Sequence, residues 1–198
     1  MQIDLVASFL LLALPTYFTP GPNNLMLMTS TAKFGVRRTL RHALGICIGF
    51  PIMVFGVGLG LGELFAAYPW VKTAMRYAAA AYFLWMAWHL LGIRITAGGQ
   101  PAGRPMTFIE AVAFQWVNPK AWAMATSFVA ALVVSGEGRL ASILWLTLGA
   151  VAIAPFSTAL WMLFGQKLAL WLKRTGLERS LGMLLAALMV AAVALFVF

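Results

Sequence analysis

Acidic residues are scarce in this chain. Its 198 residues include five aspartates and glutamates against fourteen lysines and arginines, and charged residues make up only 10% of the sequence. Hydrophobic residues make up 63%, which is more apolar surface than the core of a water-soluble domain of this size can bury. This composition excludes an ordinary soluble domain and indicates an integral membrane protein.

Groups that carry enzyme chemistry are equally few. The single cysteine, Cys47, cannot form an internal disulfide, and its apolar surroundings indicate packing. The two histidines, His42 and His89, are far apart in the sequence, and no carboxylate lies at the centre of an apolar segment. Because no set of acid, base, nucleophile or metal ligands remains, we expect no enzyme activity, no cofactor and no metal site.

The apolar residues are grouped into long segments. These are residues 5–32, 43–62, 73–92, 107–134, 140–166 and 180–198. About 20 helical residues cross the roughly 30 Å hydrocarbon core of a bilayer, so each segment is long enough to span it. The start MQIDLV lacks the basic region of a signal peptide, so we expect the first segment to stay in the mature protein. The predicted fold is a single all-α transmembrane domain over residues 1–198, with six transmembrane helices.

The basic residues are divided unevenly between the two sides of this predicted membrane domain. If alternate links lie on opposite sides, three basic residues (Lys72, Arg76 and Arg139) face ten on the other side. The ten are Lys33, Arg37, Arg38, Arg41, Arg94, Arg104, Lys167, Lys173, Arg174 and Arg179. Under the positive-inside rule the ten face the cytoplasm, so both termini face outward. Topology thus explains the net charge of +9, and we expect a lipid bilayer and no nucleic acid as partner.

The segments form two groups of three on either side of a polar link at about residues 94–106. Because three is odd, a duplicated half would be inverted relative to its partner, which is a typical transporter architecture. A glycine and a proline at the same spacing occur in the second and fifth segments, as Gly45 with Pro51 and Gly149 with Pro155. We therefore expect two inverted three-helix repeats, at about residues 4–93 and 107–198, with broken first and fourth helices.

The first segment is interrupted near its middle by Pro20, Gly21 and Pro22. Proline removes a backbone donor and glycine adds backbone freedom, so these residues should end one half-helix and start another. An unpaired backbone group in hydrocarbon is costly, so the break needs polar partners. The side-chain amides of Asn23 and Asn24 can serve the freed carbonyls or a polar solute. A packed kink with no ligand is the alternative interpretation.

The fourth segment repeats this pattern. Asn118 is a good N-cap and Pro119 suits the first helical position, so a half-helix should begin in mid-segment. Lys120 follows about halfway along the segment, where a charged lysine costs about 2.5 to 3.5 kcal/mol. The free amides of the new half-helix favour an anion, and a substrate carboxylate would fit. Alternatively, Lys120 binds carbonyls released by the first break and acts as a structural strut.

Four stretches carry a family resemblance: TPGPNN at 19–24, GVRRTLRHALGICIGF at 35–50, AAYFLWMAWHLL at 80–91 and NPKAW at 118–122. With them the chain resembles the LysE/RhtB family of bacterial amino-acid exporters over nearly its whole length. The resemblance implies export of an amino acid or related small zwitterionic metabolite across the bacterial inner membrane, driven by the proton gradient. The residues that correspond to the family's signature are Pro20, Gly21, Pro22, Asn118, Pro119 and Lys120.

The two breaks together predict how a zwitterion is held. Lys120 and the amides around Asn118 would bind its carboxylate, and carbonyls near residues 20–22, helped by Asn23 or Asn24, would bind its amine. Rocking of one half against the other would release it outside. Since no buried acid is available for a cationic side chain, neutral amino acids are favoured.

Proton coupling needs a titratable group within the membrane. Glu110 and His42 are the candidates. The alternatives are that Glu110 is an interfacial carboxylate and that His42 is a solvated or backbone-bonded imidazole. If neither carries the proton, Lys120 itself is the next candidate, exchanging a proton as substrate binds. A passive channel or uniporter for a small polar solute or ion is the alternative function, because broken helices also build pores. The glycine-rich second segment allows close helix packing, within one chain or in a homodimer.

Overall fold

The computed structural model describes residues 2–91, 103–177 and 180–197, and every regular element in these ranges is a helix. The helices are α1 (Gln2–Phe18), α2 (Pro22–Phe34), α3 (Val36–Gly56), α4 (Gly62–Ala67), α5 (Pro69–Leu91), α6 (Phe108–Gln115), α7 (Pro119–Leu132), α8 (Arg139–Arg174) and α9 (Leu181–Val197). A π-helical turn, Val57–Leu61, joins α3 to α4. The all-α fold class is therefore confirmed. Most of the predicted link at 94–106, with Arg94, and also Arg179 lie outside the described residues.

Among the residues that the structure describes, two stretches are long and apolar enough to cross a membrane. They are Val36–Leu61, of 26 residues, and Arg139–Arg174, of 36 residues. The pair Leu5–Phe18 and Pro22–Phe34, bent by 48° at its break, makes a third if it is counted as one span. These helices agree with the expectation of an integral membrane protein.

Both interruptions predicted from the sequence break a helix. α1 ends at Phe18, and α2 begins at Pro22, whose missing N–H costs nothing at a helix start. α6 ends at Gln115 after only 8 residues, and α7 begins at Pro119. The first and fourth apolar segments are thus pairs of shorter helices, as the sequence predicts.

Glycines let neighbouring helices approach closely within this chain. A Cβ atom on Gly45 would lie 2.5 Å from the carbonyl oxygen of Phe108, and one on Gly49 would lie 2.8 Å from the Cα of Val112, so this face of α3 packs against α6. Gly165 of α8 would overlap the backbone of α2 in the same way. The close contacts of these glycines are therefore internal rather than between two copies of the chain.

Two hydrophobic clusters form the core. One includes Leu27, Phe83 and Met189 and is built mainly by α2, α3, α5, α8 and α9. The other includes Met53 and Phe128 and is built by α1, α3, α7 and α8. The two helix breaks face each other, since the Lys120 ammonium group lies 2.8 Å from Thr19 Oγ1.

Candidate functional site

The carbonyl groups freed by the first break are bound by side chains from other helices. Asn24 Nδ2 donates to the carbonyl oxygens of Tyr17 and Thr19, at 2.8 Å in both cases. Ser157 Oγ, from α8, donates to the same Tyr17 oxygen at 2.7 Å. Because only the NH₂ group of an amide can donate to a carbonyl, these contacts fix the orientation of Asn24.

Lys120 connects the second break to the first. Its ammonium group donates to the carbonyl oxygen of Thr19 at 2.9 Å, to Thr19 Oγ1 at 2.8 Å and to the carbonyl oxygen of Pro20 at 3.3 Å. Gly21 makes room for it, since a Cβ atom there would lie 2.6 Å from Lys120 Cδ. The lysine therefore holds the carbonyls of the opposite break, as the strut interpretation expects, and among the described residues no carboxylate pairs with it.

A pair of side-chain amides makes a second connection between the breaks. Asn23 Nδ2 donates to Gln115 Oε1 at 2.8 Å, and Gln115 Nε2 donates back to Asn23 Oδ1 at 3.2 Å. Gln115 is fully buried and also donates to the carbonyl oxygen of Ala111. Nothing in the sequence singles out Gln115, because a lone glutamine in an apolar stretch has no distinctive spacing.

A cavity lies between the breaks and encloses about 430 Å³ of space, part of it open to solvent. The residues from the sequence analysis that line it are Gly21, Asn23, Asn24, Asn118 and Lys120. Further lining residues, which no sequence motif marks, include Tyr17, Phe50, Met124, Ser157 and Thr158. Pro20, Pro22 and Pro119 shape the breaks without being part of this lining.

The cavity favours a negatively charged group at one end. Lys120 is the charged residue of the lining, and its backbone N–H donates to Asn118 Oδ1 at 3.1 Å. With its oxygen used in this cap, Asn118 presents its NH₂ group as a donor. Because the α7 amino terminus adds positive potential, an anion would be stabilised beside these residues.

The two candidates for proton coupling lie apart from this cavity. Glu110 caps α6: its carboxylate accepts two hydrogen bonds of 2.6 Å from Arg104 and one of 2.8 Å from the Thr107 N–H. His42 is buried, with its Nδ1 3.3 Å from Ser30 Oγ. Within the described ranges, no group of histidine, cysteine and acidic residues is placed to hold a metal ion.

Comparisons with known proteins identify the family of this chain. The LysE type translocator family model matches residues 14–198. A cysteine/O-acetylserine efflux protein of Klebsiella pneumoniae is 30% identical over 193 residues, which cover 96% of this chain and 95% of that protein. Proteins of the same description are 28% identical in Escherichia coli, over 96% of both chains, and in Shigella flexneri, over 94% of both. No solved structure shows a significant match. The resemblance seen in the sequence is thus confirmed, and the chain belongs to the LysE type translocator family.

Proposed function

We propose that this chain exports a small neutral amino acid, of the kind represented by cysteine and O-acetylserine, from the bacterial cytoplasm across the inner membrane. Its relatives are described as cysteine/O-acetylserine efflux proteins. As a member of a translocator family it is a transporter rather than an enzyme. The observation that carries the proposal is the cavity between the two helix breaks, with Lys120 as its charged residue.

The carboxylate of the substrate would bind Lys120 and the NH₂ group of Asn118. To reach it, the lysine ammonium gives up part of its bonding to Thr19 and Pro20, which now occupy it at 2.8 to 3.3 Å. A carboxylate competes well for this cation because it carries a full negative charge, whereas the oxygens of Thr19 and Pro20 are neutral acceptors. Substrate binding would thereby weaken the connection between the two breaks and favour relative motion of the two halves.

The remaining wall of the cavity supports a substrate with a short, uncharged side chain. Ile46, Phe50, Ala121, Met124 and Ala154 supply apolar surface to the lining. No acidic residue in the described part of the chain lines the cavity, so a cationic side chain would have no partner.

The proposed architecture is six spans in two inverted repeats, at about residues 4–93 and 107–198. Support comes from helix pairs that a two-fold exchange would relate: α3 packs on α8, α5 packs on α9, and the two breaks face each other. A pseudo-two-fold axis between inverted repeats would relate each helix of one half to its counterpart in the other.

Orientation, assembly and coupling complete the proposal. Exposed Arg37, Arg38 and Arg41 lie just after α2, and Lys173 and Arg174 end α8; as cytoplasmic residues they would place both termini outside. In the bilayer, the exposed aromatic residues of α5 would face lipid or, in a homodimer, a second copy. Coupling to protons through His42 or Glu110 stays a prediction.

Reconstituted vesicles provide the test. Vesicles that contain the purified protein would be loaded with a panel of unlabelled amino acids. Uptake of labelled L-cysteine into them would be followed with and without a pH gradient. We expect saturable uptake that is accelerated by internal cysteine or O-acetylserine. Uptake that neither saturates nor responds to internal substrate would identify a passive channel instead, and no uptake above that of empty vesicles would refute the proposal.

A further inference from the structure

We propose that Asn24 and Ser157, with Thr158, form the subsite that binds the ammonium group of the transported amino acid. The inference rests on the proposed export function and assigns the end of the substrate opposite to its carboxylate. All three side chains line the cavity, and all three are buried, with exposed fractions of 8%, 2% and 5%. They come from two helices, α2 and α8, on which the sequence shows no common motif.

The carbonyl groups of the first break are poor partners for this ammonium group. Those of Thr19 and Pro20 accept hydrogen bonds from Lys120, at 2.9 and 3.3 Å, and the lysine stays beside them when it turns part of its bonding to the substrate carboxylate. A second cation at the same oxygens would be repelled by the lysine in a medium of low dielectric constant. The acceptors for the amine must therefore lie on another wall of the cavity.

Asn24 presents an oxygen to the cavity. Its NH₂ group is used by the carbonyls of Tyr17 and Thr19, both at 2.8 Å. Within the described ranges, its Oδ1 accepts no hydrogen bond. This oxygen is not one of the fully buried polar atoms that lack a partner, so part of its surface is accessible. Because Asn24 lines the cavity, this oxygen is the acceptor that it offers there.

Two hydroxyl oxygens complete the set. Ser157 donates its hydrogen to the carbonyl of Tyr17, to which Asn24 also donates, so the two side chains are close neighbours and the serine oxygen keeps its lone pairs. Thr158 donates its hydrogen to the carbonyl of Pro155 at 3.0 Å. Its oxygen lies 3.4 Å from Cys47 Sγ, so the thiol donates to one lone pair and the other stays open. Three oxygens with acceptor capacity match the three hydrogens of a substrate ammonium group.

The subsite is neutral, and this determines what it selects. Its oxygens bind an ammonium group but carry no negative charge. The positive charge of the ammonium group therefore has to be balanced by the carboxylate of the substrate itself, beside Lys120. The arrangement therefore selects zwitterions over amines that lack a carboxylate and over acids that lack an amine.

Competition between close analogues tests the assignment. Uptake of labelled L-cysteine would be measured under reducing conditions in vesicles that contain the full chain. The competitors are 3-mercaptopropionate, which lacks the amine, and cysteamine, which lacks the carboxylate. We expect unlabelled cysteine to compete at least about tenfold better than either in the wild-type protein, since a hydrogen bond to a charged group is worth about a factor of ten.

In the Ser157→Ala variant, the preference for cysteine over 3-mercaptopropionate should fall by about tenfold, so that most of it is lost. The preference for cysteine over cysteamine should stay the same. A merely structural defect would lower total uptake and leave both ratios unchanged, which would overturn the inference. Thr147→Val is the matched control, because this hydroxyl of α8 donates within its own helix, to Ile143 at 2.8 Å, and does not line the cavity.

A second variant covers failure to fold. If Ser157→Ala is not recovered from the membrane, Thr158→Val, which preserves the side-chain shape, takes its place. It should lower the preference for cysteine over 3-mercaptopropionate. An unchanged ratio in that variant overturns the subsite while cysteine uptake by the wild-type protein still supports export. Absence of cysteine uptake by the wild-type protein would overturn the export proposal itself, and the subsite with it.

Discussion

The ammonium group of Lys120 lies 2.8 Å from the hydroxyl oxygen of Thr19, 101 positions earlier in the chain. Each residue belongs to a helix break, so the contact joins the two places at which the backbone leaves its regular hydrogen bonding. A lysine that reaches across the cavity in this way can be both a strut and a substrate ligand. The two roles can be separated by substitutions at either end of the contact.

Replacing Lys120 with methionine should abolish export. The substitution keeps an unbranched side chain and removes the charge that would bind a carboxylate, and it leaves the carbonyls of Thr19 and Pro20 without this donor. We expect cysteine counterflow to fall at least about tenfold and the free energy of unfolding to fall by about 1 to 3 kcal/mol. Counterflow and thermal unfolding in detergent measure the two effects.

The Thr19→Val variant is the control for this change. It removes one partner of the ammonium group, costs about 0.5 to 1.5 kcal/mol of stability and should keep most of the export activity. If Lys120→Met exports cysteine at the wild-type rate, the lysine has no part in transport and is a strut alone.

The Gly21→Ala substitution should impair export without straining the backbone. Gly21 has an extended conformation, with φ of −175°, that alanine can adopt, so the effect is steric: the new Cβ would lie 2.6 Å from Lys120 Cδ. The lysine side chain has to move, and we expect counterflow to fall by about tenfold or more. Gly62→Ala serves as the comparison, since the nearest atom to its Cβ would be Val57 Cγ1, at 3.3 Å. Equal activity of both variants with the wild type would contradict the prediction.

The amide pair Asn23 and Gln115 should show strong thermodynamic coupling. Asn23→Leu leaves the buried amide of Gln115 without its partner, and Gln115→Leu does the same to the half-buried amide of Asn23, at a cost of about 1 to 3 kcal/mol each. In the double variant neither amide remains, so the loss should be smaller than the two single losses combined, with a coupling energy of about 0.5 to 3 kcal/mol. Chemical unfolding of all four proteins in the same detergent measures it. Strict additivity would show that the pair contributes nothing as a unit.

Proton coupling should depend on His42 rather than on Glu110. His42 is buried, with an exposed fraction of 1%, whereas the carboxylate of Glu110 is partly exposed and neutralised by two hydrogen bonds from Arg104. We expect His42→Gln to lose the acceleration of uptake by a pH gradient and Glu110→Gln to retain it. Vesicle assays with and without the gradient measure this acceleration for both variants. If Glu110→Gln loses it and His42→Gln retains it, Glu110 has the role instead.

Local chemistry made the two helix breaks predictable. Pro20 and Pro22 remove backbone donors, and Asn118 with Pro119 forms a recognisable helix start, so each break is specified within a few residues. The partners of the first break were not predictable in the same way. Asn24 was a candidate because it is adjacent, but Ser157 reaches the carbonyl of Tyr17 from 140 positions away.

The same distinction explains what was missed in the site. Gln115, Ser157 and Thr158 are polar residues in apolar helices, where many such side chains simply bond to their own backbone. Only helix packing decides which of them face a cavity. Lys120 was conspicuous in the sequence because a charge in mid-membrane requires an explanation, but its contact with Thr19 depended on how the two halves meet.

The length of α8 has a consequence for the surrounding lipid. At 1.5 Å per residue, its 36 residues extend about 54 Å, well beyond a hydrocarbon layer of roughly 30 Å. The helix must therefore tilt strongly or project past the acyl chains. Its last turns carry Lys167, Lys173 and Arg174, so the projecting end would lie among phosphate headgroups, and anionic lipid would hold it there.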